Sequence, residues 1–247
     1  MMKIEAGRFI GKILDRKEDD YEKRINQVFS LRYKEMICEY DDSKTGNGLD
    51  YDEYDKYCDH AVIIDIITDE VIGTYRFILE NHIKNLNGKF LLEKEFNIDV
   101  LKDRKLMEVG RAVVSKKHRD GSVILLLWKE AIRYALEKKV DIMLGTASFH
   151  GIDGSKHNEC MRYITSNYMS NENCYAINDV YKINDNNEEI DVAKVRSEMP
   201  PLIKGYIRIG SSFGRDAFID RDFCSTDMLV ITKIKDIKPQ YLNKFAK

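Results

Sequence analysis

The sequence is poor in the features that usually mark a function outright. Proline is scarce, at 3 of 247 residues, glycine stands at 14, and no stretch is low in complexity, which excludes a collagen-like or disordered chain. The five cysteines (Cys38, Cys58, Cys160, Cys174, Cys224) are odd in number and contain no C-x-x-C pair. That excludes a disulfide framework and points to a reducing compartment, with the cytoplasm as the default. The longest apolar run, Val123 to Trp128, falls far short of the ~20 residues that cross a bilayer, and Met1 to Ile13 holds no apolar signal core. The expectation is a protein neither exported nor membrane-spanning; a peripheral membrane contact needs no long run and stays open. Lys plus Arg (40) nearly balance Asp plus Glu (42), so the net charge of −2 carries no signature of a nucleic-acid binder. There is no P-loop, no G-x-G-x-x-G and no internal repeat.

What is present is enough hydrophobic sequence, 43%, to bury a substantial core. The length predicts one domain spanning 1–247, with a polar, Asn-rich insertion at about 170–199. Apolar residues recur at helical spacing from Tyr21 to Met36, as one helix or two broken near Ser30. Ala61 to Ile67 and Val71 to Leu79 read as a β-hairpin turning at Thr68-Asp69-Glu70. A strand over Leu106 to Val114, a buried helix over Val123 to Lys138 and a strand over Asp141 to Phe149 follow. A helix is expected from Gly154-Ser155 to about Tyr168, with Ser155 as N-cap, and strands over Ile203 to Ile209 and Met228 to Ile234. This order gives a mixed α/β sheet flanked by helices.

Several ionisable groups sit where apolar ones are expected. Glu108 and Arg111 lie in the Leu106 to Val114 strand, three apart, and could share a site only if the strand is bulged; Gly110 is where a bulge is tolerated. A bulge would free a backbone N–H to polarise a carbonyl. The alternative is an edge strand with solvent-facing charges. Arg76, ending Gly73-Thr74-Tyr75-Arg76, could hold a carboxylate bidentately or pair with a loop aspartate. The loop around Asp52, Asp55, Asp59 and His60 could receive a cationic amine, or be a solvated acidic loop. Lys116-Lys117-His118-Arg119 forms a basic turn suited to a phosphate or an acidic protein surface. His150, Asp153, His157 and Cys160 have metal-ligand chemistry but no H-E-x-x-H pattern, so capping or packing roles are favoured and no metal site is assigned. Cys58 and Cys160 read as packing thiols.

Taken together, these segments resemble the GNAT acyltransferase superfamily, and within it the branch of ornithine lipid N-acyltransferases (lyso-ornithine lipid synthases) and acyl-homoserine-lactone synthases. The resemblance is carried by Leu31-Arg32-Tyr33, Asp52 through Tyr54-Asp55 to Cys58-Asp59-His60, Gly73 to Arg76, Glu95-Phe96, Glu108-Val109-Gly110-Arg111 and Leu127-Trp128. It continues through Gly145 to Ser148-Phe149, Pro200-Pro201-Leu202-Ile203-Lys204-Gly205-Tyr206 with Gly210, and Asp222-Phe223 with Thr226-Asp227.

The resemblance implies a mostly antiparallel sheet whose central strands splay to hold a thioester arm. It implies a long-chain acyl donor on acyl carrier protein and an amino-acid acceptor, ornithine first, with no bound cofactor. The turn Lys117 to Gly121 departs from the Q-x-x-G-x-G/A pyrophosphate loop of coenzyme A-dependent acetyltransferases, which disfavours acetyl-CoA. Because an α-ammonium must lose a proton before attacking a thioester, Glu108 is the expected base and an N–H near Gly110 the oxyanion donor. Arg111 would orient Glu108 or the loop. Arg32 and Arg76 would organise the loop or hold the acceptor carboxylate, Asp55 and Asp59 would hold those arginines or the amine, and Ser148 would line the acceptor site. Lys116, Lys117, Arg119 and Gly121 would receive the carrier protein or donor. The alternatives are an acyl-homoserine-lactone-type synthase, an acyl-CoA-dependent acetyltransferase, a non-catalytic acyl-chain or carrier-protein binding module and, more distantly, a metal-dependent hydrolase.

Overall fold

The computed structural model describes residues 4–37, 47–84, 86–185 and 189–245. Cys38, residues 41–46 of the acidic loop and residues 186–188 of the polar insertion lie outside them. The chain divides into two compact units, the first formed by Met1–Gly88, Val109–Lys139 and Leu242–Lys247, the second by Lys89–Glu108 and Val140–Tyr241.

In the first unit β1 (Ile4–Ala6), β2 (Phe9–Ile13), β3 (Asp59–Asp65) and β4 (Glu70–Leu79) pair antiparallel in that order. The last part of β6 (Leu106–Val114) follows β4 in the sheet. β3 and β4 read as near-continuous apolar runs because helices cover both faces. Helix α1 (Tyr21–Arg32) buries Ile25, Val28 and Leu31 in a cluster with Val62, Ile64 and Val71. Helix α2 (Ser122–Glu137) lies on the opposite face, with Val123 and Leu127 over Gly73 and Ile63. The expected break near Ser30 falls slightly later, where α1 passes into a π-helical turn over Tyr33–Ile37. The hairpin is where the sequence puts it, but its turn comes earlier than Thr68-Asp69-Glu70: Ile66 and Ile67 leave the strand, Glu70 already belongs to β4, and Asp69 is in the left-handed region.

In the second unit β6 runs parallel to β7 (Ile142–His150), and that ladder covers Leu106 to Glu108 against Ile142 to Leu144. β12 (Ser225–Lys233) pairs antiparallel along the whole of β7 and carries β11 (Ala217–Asp220) and β10 (Ser212–Phe213), with β9 (Val180–Tyr181) beyond β11. Two short strands, β5 (Phe96–Asn97) and β8 (Tyr175–Ala176), form a separate ribbon. The helices are α3 (Asn158–Tyr168), α4 (Val192–Glu198) and α5 (Pro201–Ile209).

Two expectations are corrected here. Ile203 to Ile209 is helix, not strand: Pro201 opens α5, Gly210 closes it at φ 103°, and Ile203, Tyr206 and Ile209 recur every third residue on its buried side. The isoleucines suggested β structure, but the proline and glycine punctuation decided the element. The cap before α3 is Asp153, which accepts the Ser155 N–H at 3.2 Å, so Ser155 is a capped residue rather than the cap.

Gly73 is the tightest point beneath α2, since a Cβ there would stand 2.6 Å from the buried, branched Val123 Cγ1. Gly73→Ala is expected to destabilise the protein by about 1–3 kcal/mol through overpacking, read as a lower urea midpoint at unchanged slope.

Candidate active site

The loop before β3 folds on itself before it binds anything else. Asp52 accepts the Tyr54 N–H at 2.9 Å and Asp55 accepts the Asp52 N–H at 2.8 Å, a reciprocal cap on the short helical turn Glu53–Lys56. The same carboxylates then meet arginines from three elements. Arg32, at the end of α1 and fully buried, donates Nη1 and Nη2 to Asp55 at 2.8 and 3.2 Å and Nε to Asp50 at 2.8 Å. Arg76 on β4 donates Nη1 to both Asp52 oxygens at 2.7 Å and to Asp55 at 3.2 Å. Arg111 on β6 donates Nε to Asp50 at 3.2 Å and lies 3.6 Å from Asp52.

Three cations therefore face three carboxylates. Burial alone would raise Asp55, but Arg76 and Arg32 outweigh it and hold the carboxyl far below the usual range. Burial opposes the Arg76 charge, yet Asp55 and Asp52 raise its pKa. Arg111 is shifted down by burial and by the neighbouring Arg76 charge. Of the two expected roles for Arg32 and Arg76, the structure shows loop organisation. Asp59 stands apart from the arginines, taking the Tyr134 hydroxyl and lying 3.7 Å from His82 Nε2.

Asp55, Cys58 and His60 are the one group of metal-ligand type among the described residues. It suits a cation poorly. Two guanidiniums already neutralise Asp55, and burial pushes the Cys58 thiol up to about 12 and His60 down to about 4, leaving both neutral at pH 7. Of the other set, Asp153 caps the turn, His157 donates to the His150 carbonyl at 2.8 Å, and Cys160 is buried.

Strand β6 is kinked one residue from where the sequence suggested. Arg111, not Gly110, adopts the left-handed conformation, at φ 55°. Such a backbone costs a side-chain-bearing residue about 1–3 kcal/mol, and here the paired aspartates hold it. Glu108, 6% exposed, accepts the Leu91 and Leu92 N–H groups at 2.8 and 3.4 Å, which fixes its carboxylate over the short turn Leu91–Lys94.

On β7, Ser148 is exposed and stands in register with Asp227 of β12. Asp227 is buried, and desolvation pushes its carboxyl up to about 6 despite hydrogen bonds from Ser225 and Ser148. Lys116 and Lys117 are exposed on a short turn, whereas Arg119 donates to Glu35 at 2.9 Å and to the Val114 carbonyl at 3.1 Å. Gly121, the N-cap position of α2 at φ 94°, has no side-chain cap, and just before it the Asp120 carboxylate accepts the Ser122 N–H at 2.9 Å.

Residues 31–129 match the family model described as an acetyltransferase (GNAT) domain. An L-ornithine Nα-acyltransferase of Agrobacterium fabrum is 30% identical over 242 residues, covering 91% of this chain and 82% of the relative. One from Rhizobium meliloti is 31% identical over 240 residues, covering 90% and 80%. The chain belongs to the L-ornithine Nα-acyltransferase family of the GNAT superfamily. Members of this acyltransferase family form amides, and the present chain is an enzyme of that type. The fold agrees: an N-acyl amino acid synthase from uncultured soil microbes superposes with TM-score 0.51 at 10% identity, covering 93% of this chain and 92% of that one. A CoA-dependent acyl-homoserine lactone synthase superposes with TM-score 0.50 at 14% identity, covering 91% and 81%.

Within this acyltransferase, sequence reasoning missed Asp50, the carboxylate shared by Arg32 and Arg111; it lies in the acidic stretch 41–59, where composition did not single it out from its neighbours. It also gave Asp227 no role. A carboxylate directly before the apolar run Met228 to Ile231 was the available signal.

Two outcomes test the electrostatics. Arg32→Met leaves Asp55 and Asp50 short of a buried partner and should cost about 3–5 kcal/mol in urea denaturation. Asp227 keeps its proton in the fold between 3.8 and about 6, so its contribution to stability is greatest in acid and is lost as pH rises through that window. Asp227→Asn should therefore stabilise the protein by about 2–3 kcal/mol near pH 8 and by much less near pH 4, in paired thermal melts.

Proposed function

We propose that the protein transfers a long-chain acyl group from an acyl-carrier-protein thioester to the α-amine of an amino acid, with ornithine the first choice. The product is an N-acyl amino acid, lyso-ornithine lipid when the acceptor is ornithine. The whole chain, 1–247, acts as one acyltransferase domain, with 170–199 as an insertion. The observation that carries the chemistry is β6, where a buried glutamate is followed three residues later by a left-handed arginine.

Glu108, its orientation set by two backbone N–H groups, takes the proton of the acceptor ammonium directly or through one water. The freed amine attacks the thioester carbon, the C–N bond forms, and an N–H of the kinked strand near Gly110 meets the oxyanion. Collapse expels the carrier thiolate, which is reprotonated. Arg111 is a positioning residue, holding the kink through Asp50 and Asp52. The relatives named for L-ornithine support the acceptor.

The Asp120 carboxylate supports a carrier-protein donor, because a coenzyme A pyrophosphate at the start of α2 would meet that charge there. Lys116 and Lys117 supply the attraction for an acidic carrier. No helix among the described residues is long and apolar enough to cross a membrane. The reading places the protein in the cytoplasm, touching the inner membrane face through the β3–β4 turn, where Ile66 and Ile67 are 53% and 71% exposed.

Mass spectrometry of reactions with palmitoyl-acyl carrier protein and a pool of amino acids tests this directly. The expected result is one N-palmitoyl amino acid whose formation falls about 10²–10⁴-fold in Glu108→Gln. A lactone formed from S-adenosylmethionine, or carrier-protein binding with no turnover, would replace the reading with the synthase or the binding module.

A further inference from the structure

Asp227 is a strongly buried carboxylate of the second unit, and no cation is paired with it among the described residues. It is 4% exposed, and its Oδ1 has no hydrogen-bond partner among the described residues. Ser225 and Ser148 supply hydrogen bonds to the side chain, and the neighbouring charge acting on it, Asp220, is of the same sign. A buried carboxylate with one oxygen unsatisfied costs stability, and a cation bearing N–H donors would offset that cost.

The surroundings define the shape of that cation. On one flank of Asp227, in register, stands Ser148, which is exposed and marks the open side; on the other stands Phe218, half-buried and 6.4 Å from the Phe96 ring. The same sheet face carries Glu108. Glu108 is in register with Leu144 of β7, and Leu144 is four residues before Ser148 on that strand. Side chains an even number of residues apart on a strand share a face, and four residues span about 13 Å. An amino acid seated at Asp227 by its distal nitrogen would therefore lie on the sheet face that carries Glu108.

We propose that Asp227, with Ser148 and Ser225, is the seat of the acceptor's side-chain ammonium, and that this seat makes the enzyme select cationic amino acids over neutral ones of the same length. The inference rests on the acyltransferase reading above and adds the residue that chooses the acceptor. Asp227 takes no part in the chemistry: no bond to it forms or breaks, and its contribution is a charge-assisted hydrogen bond to an –NH₃⁺ group.

L-Ornithine and L-norvaline, which has the same carbon chain without the distal amine, separate the possibilities. In the full-length protein ornithine should raise the melting temperature and norvaline should not, and this binding readout does not depend on turnover. With palmitoyl-acyl carrier protein as donor, the ornithine-to-norvaline ratio of kcat/KM should fall about 100-fold in Asp227→Asn, mainly through KM for ornithine. The wild-type comparison stands even if the variant fails to fold, and Ser148→Ala should weaken ornithine binding in the same direction. Equal shifts with the two ligands, or an unchanged ratio in a folded Asp227→Asn, would overturn the seat while leaving the acyltransferase reading in place. An ornithine-specific shift without any N-acyl product would support the seat and overturn that reading.

Discussion

The first unit is organised around a buried ionic knot in which three arginines and three aspartates neutralise one another. Each arginine comes from a different element, the end of α1, the middle of β4 and the kink of β6, whereas all three aspartates come from six consecutive residues of one loop. The loop is thus the common partner through which helix and strands are fixed. Burying Arg32, Arg76 and Asp55 and half-burying the other three charges is expensive, and the arrangement persists because every carboxylate meets at least one guanidinium and Asp52 and Asp55 also cap their own turn. Ion pairs of this kind specify geometry more than they add stability. The geometry specified here is that of β6.

That strand carries the chemistry assigned to the enzyme. Left to local preference, an arginine in the middle of a strand would stay extended; at position 111 it is left-handed, and the aspartates of the loop hold it there. The cost of the kink is therefore met by electrostatics remote in sequence, from Asp50 and Asp52. Glu108 is fixed by different means, backbone N–H groups of the Leu91–Lys94 turn. Glu108 and the kink are thereby held independently, each by contacts within its own unit.

The sequence made much of this legible, and its failures have physical causes. The strand over Leu106 to Val114 and the hairpin before it followed from runs of apolar residues with clear turns. The irregularity in β6 was foreseen, but glycine drew attention because it bends without penalty, whereas the bend falls on the charged residue beside it. Helix α5 was misread because isoleucine favours strands when propensity is weighed ahead of capping. Whether Arg76 and Arg32 face substrate or loop could not be read from spacing, because their partners lie 18 to 24 residues away in sequence and join them only in the fold.

The burial of the ionic knot separates the enzyme's two kinds of electrostatics by their response to ionic strength. Screening acts on charges that water and ions can reach, so the exposed Lys116 and Lys117 weaken with added salt while the pairs around fully buried Arg32 do not. The attraction exerted by the basic turn and the internal geometry of the strand are then governed by different properties of the medium. A change in salt would alter the pull of that basic turn on any anionic surface while leaving intact the internal geometry of β6.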